Sequence, residues 1–167
     1  LLRNDILDLI SYAHRKGLVT RLITNGILLS EQMVVNLKDA GLNWCSVSID
    51  DPEANVHDAF RRNLGCYQKA INGLKLLVKY KVPCNIITVA RRELVHSGQL
   101  EKIVKIGKQI GVTVVRINFP IPIERFSTKD IDKLTRTGVY LQHRFAIALK
   151  YNDKPSTRWA SGVLLCF

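Results

Sequence analysis

Thr24 and Asn25 close one short apolar run, and Ser48 and Asp50 close the next. Two hydroxyls, an amide and a carboxylate can together hold a ribose and an amino-acid head group by hydrogen bonds. They make a poor catalytic apparatus. The chain has no Ser-His-Asp arrangement, no phosphate-binding glycine loop and no H-E-x-x-H. His14, His57, His96 and His143 share no ligand spacing, and a lone loop histidine such as His57 reads as a polar surface group. Cys45, Cys66, Cys84 and Cys166 contain no C-x-x-C, which excludes a zinc ribbon or a complete iron–sulfur motif within these residues. Scattered thiols read as buried and structural, and they suit a reducing cytoplasm better than a disulfide framework.

The elements that must position these residues follow from alternating periods. Asn4 to Lys16 reads as a helix with Asn4 as N-cap and Ile6, Leu9, Ile10 and Ala13 inward; Gly17 ends it. Residues 18–24 form a strand. Ser30 caps a second helix with Val34, Leu37 and Ala40 inward, and Gly41 ends it. Residues 43–50 form a second strand, residues 51–64 a polar loop, and residues 66–81 a third helix. Residues 82–90 form a third strand. Ser97 is the expected cap of a fourth helix closed by Gly111, and residues 112–119 form a fourth strand stopped by Pro120 and Pro122. A last helical stretch runs from Ser127 to about Lys150, with Ser127 and Asp130 in capping-box register. The tail after Tyr151 has no clear period.

Strands alternating with helices at this spacing predict parallel βαβ units, and their function gathers at the C-terminal strand ends. Alternation within the strands predicts the kind of sheet. Cys45, Val47 and Ile49 suit a helix layer, as do Val115, Ile117 and Phe119; Trp44, Ser46, Ser48, Asp50, Val114, Arg116 and Asn118 face the other way. A doubly wound sheet would be apolar on both faces. One polar face therefore predicts an α/β fold of the (β/α) barrel type with a partly polar interior that holds a ligand.

The 167 residues fit one domain, and the net charge of +11 invites a nucleic-acid reading. The lysines argue against it. Lys75, Lys79 and Lys81, then Lys102, Lys105 and Lys108, then Lys129, Lys133 and Arg136 take helical spacings opposite apolar stripes, as solvated faces do. Arg61-Arg62 and Arg91-Arg92 are expected in loops after strands. No apolar run approaches the about 20 residues of a membrane span. Residue 1 is Leu and the one methionine is Met33, so the chain is read as beginning inside a longer gene product.

Four segments in order resemble one family: Leu1-Leu2-Arg3-Asn4-Asp5, Ile23-Thr24-Asn25-Gly26, Val47-Ser48-Ile49-Asp50 and His57-Asp58-Ala59-Phe60-Arg61. Together they resemble the middle of a radical S-adenosylmethionine (SAM) domain. The nearest subgroups are the SPASM-type peptide maturases and the cyclic pyranopterin synthases. The resemblance covers residues 1 to about 126, and residues 127–167 would be a C-terminal helix and the start of an auxiliary region. It implies a partial (β/α)6 barrel whose first strands are missing. By resemblance Thr24, Asn25, Ser48, Asp50 and Asn85 would lie by the cofactor, with Thr88 on the same cavity; Arg116, Asn118 and Arg61 would face the substrate. The Gly usual after the Arg of H-D-x-x-R is replaced by Arg62.

The resemblance also implies the chemistry. A [4Fe-4S] cluster, held by a C-x3-C-x2-C motif expected upstream, would cleave SAM with an electron from a donor, and the 5'-deoxyadenosyl radical would abstract hydrogen from a peptide or small-molecule substrate. This chain would supply the ribose and head-group side of the pocket and be inactive alone. An exposed sheet edge would make it poorly soluble when expressed alone. Two other readings stand beside this one. A cluster-free barrel would bind a phosphorylated metabolite through Arg91, Arg92 and Arg116. A non-catalytic module would bind RNA through basic loops, which lack aromatic stacking residues.

Overall fold

A computed structural model describes residues 3–118 and 162–166. Helix α1 (Ile6–Arg15) leads into β1 (Arg21–Thr24), α2 (Glu31–Asp39) and β2 (Trp44–Ser48). Then come α3 (Ala54–Arg61), α4 (Cys66–Lys79), β3 (Cys84–Val89), α5 (Arg92–His96), α6 (Gln99–Ile110), β4 (Val114–Asn118) and β5 (Gly162–Cys166). The helix expected at 127–150 lies outside the described residues.

Local chemistry sets most boundaries. Ser30 Oγ accepts the Met33 N–H at 3.2 Å, so α2 starts where its cap predicts. The start of α1 differs. Asp5 is the cap residue, but Arg3 takes its carboxylate at 2.8 and 2.7 Å, and neither Asn4 nor Asp5 caps with its side chain. Leu9, expected inward, is exposed, while Ile10 is buried. Gly17 and Gly111 close α1 and α6 in the left-handed region at φ 71° and 87°.

Two expectations are corrected. The expected loop 51–64 contains α3. Its buried residues are His57 and Asp58, so it has a polar inner face that a hydrophobic period cannot detect. Ser97 caps no helix start. It ends α5, and its Oγ donates to Glu93 O at 2.6 Å; Gly98, at φ 71°, then turns the chain into α6. Leu94 and Val95 anchor the extra turn in the core. Arg61 is therefore the last residue of a helix, and Arg91 and Arg92 begin another.

The sheet runs β1-β2-β3-β4-β5. The first three pairings are parallel, with Thr24 opposite Val47, Ser46 opposite Asn85 and Ile87 opposite Arg116. Strand β5 adds antiparallel to β4. The four parallel strands lie in sequence order without reversal, so right-handed crossovers put the helices that connect them on one face. That is a partial (β/α) barrel, not a doubly wound sheet. The core lies under this layer: Val34, Leu37, Cys45, Val47, Leu74, Leu77, Ile86 and Val115 pack there fully buried. Lys75, Lys79, Lys102, Lys105 and Lys108 face solvent, as their spacing predicts.

Candidate functional site

The T-N-G turn after β1 is fastened to the helix layer. Thr24 is buried, and its Oγ1 accepts the Gly26 N–H at 3.1 Å. Its register partner is Val47, so it shares the helix-facing side of the sheet rather than the side of Ser48. Asn25 is exposed, and its Oδ1 accepts the Ile27 N–H at 3.2 Å. Gly26 sits at φ 79°, where a Cβ would lie 2.8 Å from Val47 Cγ1 and 3.0 Å from Ala70 Cα. Only glycine allows both the turn and the close approach of α4.

The face that no described helix covers carries the polar residues. At its N-terminal end Asn85 Oδ1 accepts from Trp44 Nε1 and from Ser46 Oγ, the latter at 2.6 Å, while Asn85 Nδ2 donates to Ile86 O at 3.1 Å. Ser46 and Asn85 are buried. This network is complete in itself and closes the floor of the barrel. Nearer the C-terminal ends, Ser48, Arg116 and Asn118 are half-buried on the same face, and their side chains have no hydrogen-bond or ion-pair partner among the described residues. Thr88, expected on the cavity, is corrected. It alternates with Ile87 and lies with Cys84 and Ile86 on the helix side, where its Oγ1 is buried and unpartnered.

Asp50, two residues beyond Ser48, is held on three sides. Its N–H donates to His57 Nδ1 at 3.1 Å, its carboxylate pairs with Arg61 Nε, and its carbonyl accepts from Arg91 Nη2 at 3.0 Å. Arg91 also lies 3.5 Å from Asp51 Oδ2, with its guanidinium carbon 4.4 Å from the Phe60 ring centroid. His57 is 2% exposed, not the surface group its isolation predicts. Burial lowers its pKa, with Arg61 adding to the effect against Asp50, Asp58 and Asp51. The neutral ring with an unprotonated Nδ1 is the form that accepts the Asp50 N–H. Arg61 is half-buried and Asp50 buried, and the two, expected to face substrate and cofactor, pair with each other in this structure.

His57, Asp58 and Cys66 present buried donor atoms within 4.8 Å of one another, a spacing that could hold a metal ion. Hydrogen bonding already accounts for Asp58. Its oxygens accept Gly65 N–H at 2.6 Å, Tyr67 N–H at 2.8 Å and the Cys66 thiol at 3.2 Å, which caps α4. The Tyr67 N–H is the main cause that holds its carboxyl below the usual range. The Cys66 thiol is pushed up by burial and by Asp58, so it stays protonated. Arg62 follows at φ 52° as the left-handed C-cap of α3, where the resemblance expects glycine.

The interlocked pieces were partly visible beforehand. His57 and Arg61 are four residues apart, one helical turn, and both reach Asp50. The signal existed in the spacing but needed the helix to be recognised. Arg91 and Phe60 had no such signal, because strand order alone brings β3 beside β2.

Residues 1–98 match the Radical SAM superfamily. The chain belongs to this superfamily. Its relatives include an AdoMet-dependent heme synthase of Methanosarcina barkeri, 33% identical over 162 residues, which cover 93% of this chain and 46% of that protein. An AdoMet-dependent heme synthase of Nitratidesulfovibrio vulgaris is 33% identical over 125 residues, covering 75% of this chain and 34% of that protein. A PqqA peptide cyclase of Rhodopseudomonas palustris is 30% identical over 94 residues, 56% of this chain and 25% of that protein. The radical SAM chain thus spans less than half the length of these relatives. Among solved structures, anSMEcpe with bound AdoMet and Kp18Cys peptide superposes with a TM-score of 0.68 at 18% identity, over 88% of this chain and 41% of that chain. That likeness supports the fold.

Superfamily members use SAM and a [4Fe-4S] cluster. The described residues fit these two groups differently. Ser48 and Asn25 carry polar groups near the C-terminal strand ends, the kind of donors and acceptors that ribose or a head group requires. Cluster ligands must be thiolates. Burial pushes the Cys45 thiol up to about 12 and the Cys84 thiol up to about 11, and Cys66 serves the cap of α4. The described thiols therefore do not fit a cluster. No helix among the described residues is long and apolar enough to cross a membrane.

Proposed function

We propose that this chain forms the ribose and head-group side of the SAM pocket, and part of the substrate cavity, of a radical SAM enzyme. One observation carries the reading. The partial barrel has a polar face that no described helix covers, and Ser48, Arg116 and Asn118 stand unpartnered among the described residues near its C-terminal strand ends. Ser48 and Asn25 would hold the cofactor, and Arg116 and Asn118 the substrate. Asn85 supports the floor beneath them. Bound SAM supplies the hydrogen-abstraction chemistry. The protein's own part is to position both molecules against the face where Arg116 stands beside its register partner Ile87.

The substrate class we propose is a heme precursor, after the two heme synthases that share 33% identity with most of this chain. Arg116 suits an acidic group on such a molecule. A peptide is the second reading, favoured by the PqqA peptide cyclase relative. Residues 1–126 would be the barrel part, and residues 127–167 would follow it. With no described thiol free for a cluster, the chain alone would be inactive and would depend on cluster ligands and an electron donor from elsewhere. We place the enzyme in the cytoplasm, where thiols such as Cys45 and Cys84 stay reduced.

The test uses the full protein encoded by the gene, reconstituted anaerobically. Ser48→Ala should weaken SAM binding about threefold to tenfold, as the loss of one hydrogen bond does. Arg116→Met should raise the KM for an acidic substrate by about tenfold or more and leave SAM binding alone. Unchanged SAM affinity in Ser48→Ala would overturn the pocket reading.

A further inference from the structure

The motif residues His57, Asp50 and Arg61 have no place in the open face. Each is turned toward another protein group, and together they close around one residue. All three polar groups of Asp50 are engaged: the N–H by His57, the carboxylate by Arg61 and the carbonyl by Arg91. The partners come from two elements, α3 and the start of α5, which the pairing of β2 with β3 brings together at the end of β2. Phe60 of α3 carries Arg91 on its ring, so the two halves of the clamp also hold each other. The Ile49 N–H donates to Ile87 O at 2.9 Å, which ties the residue between Ser48 and Asp50 to β3. The backbone is therefore fixed on the C-terminal side of Ser48 at two successive residues.

We propose that His57, Arg61 and Arg91 are positioning residues that act through Asp50 to aim Ser48 into the cofactor pocket, and that Asp50 and Arg61 themselves touch neither cofactor nor substrate. The proposal deepens the pocket reading above and rests on it. A hydroxyl at a strand end, where the ladder stops, would otherwise sample several directions. The clamp removes that freedom before the ligand arrives, and a pre-ordered donor binds more tightly than a mobile one. It explains why a histidine is buried where an apolar residue would pack as well. The ring nitrogen satisfies an N–H that lies past the last ladder bond and would otherwise be unpaired.

The experiment is a double-mutant cycle on the reconstituted full protein, read by equilibrium dialysis of SAM and by thermal unfolding. His57→Leu removes the acceptor; His57→Asn restores one with its Oδ1. His57→Leu should weaken SAM binding by no more than Ser48→Ala does, about threefold to tenfold, and His57→Asn should recover most of it. In a Ser48→Ala background, His57→Leu should have little further effect, because the hydroxyl it aims is gone. A purely structural His57 gives a different result: the two losses multiply, and the proposal is overturned. If His57→Leu does not fold, Arg91→Met takes its place in the same cycle, since it removes the donor to Asp50 O from nearer the surface. A Ser48→Ala protein that binds SAM normally, beside a His57→Leu protein that does not, refutes both the aimed hydroxyl and the pocket assignment. A Ser48→Ala loss without any loss in His57→Leu or Arg91→Met keeps the pocket and removes the clamp.

Discussion

On one side of the sheet Cys45, Val47, Ile86 and Val115 are fully buried under helices; on the other, their sequence neighbours Ser46, Ser48, Asn85 and Arg116 carry the polar groups. The covered side is held by a non-directional term, the removal of apolar surface from water. It tolerates any well-shaped apolar residue, and it fixes where the strands lie. The open side is held by directional bonds. Trp44, Ser46 and Asn85 must meet in one geometry there, as His57, Arg61 and Arg91 must around Asp50 beyond the end of β2. The difference teaches that the fold and the site draw on different terms, so they can be broken separately.

The largest expected effect is on the covered side. Ile86→Ala should cost about 2–5 kcal/mol of stability, read by denaturant unfolding of the full protein, because it removes a fully buried side chain from between β3 and the helices. A loss under about 1 kcal/mol would mean that this face is loosely packed. Asn85→Ala on the open side should cost less, about 1–3 kcal/mol. It strands the Trp44 indole N–H and the Ser46 hydroxyl, and the Trp44 fluorescence should shift with the loss of its partner. An unchanged emission would place the indole N–H in another bond.

Arg62→Gly lies outside both faces and should stabilise the protein by about 0.5–1 kcal/mol. A left-handed C-cap at φ 52° suits glycine better than any residue with a Cβ. Destabilisation there would show that the Arg62 side chain makes a bond worth more than the backbone strain. The smallest effect is a slope with pH. His57 stays neutral in the folded state because burial lowers its pKa, while the unfolded residue titrates near 6.5. Below that value the unfolded chain binds more protons than the folded one, so stability rises with pH. It is full above the unfolded pKa and is lost as pH falls through the lowered folded value. Wild type should therefore lose more stability than His57→Asn as the pH falls from about 7. Parallel profiles would remove His57 from the titration.

Much of the architecture was legible from local pattern. Val47 and Ile49 against Ser48 and Asp50 announce a strand with one apolar face, and Gly17, Gly41 and Gly111 announce helix ends. Those signals are carried by neighbours within a few residues, and burial follows them because one face must leave water. The T-N-G and H-D-x-x-R segments, taken in order, resemble the superfamily that the match over residues 1–98 shows.

The partners of each polar group could not be read this way. Thr24 and Thr88 look like cavity hydroxyls in sequence; register turns both toward the helices. His57 looks exposed; a helix with a polar inner face buries it against Asp50. Asp50 and Arg61, expected at the ligand, are joined to each other by an ion pair, and Arg91 reaches Asp50 because β3 lies beside β2. Sequence determines the period, the faces and the turns, since these depend on near neighbours and on solvent. Tertiary structure alone decided which buried charge meets which, because that pairing depends on register and crossover, and a one-residue slip would point every one of these groups the other way.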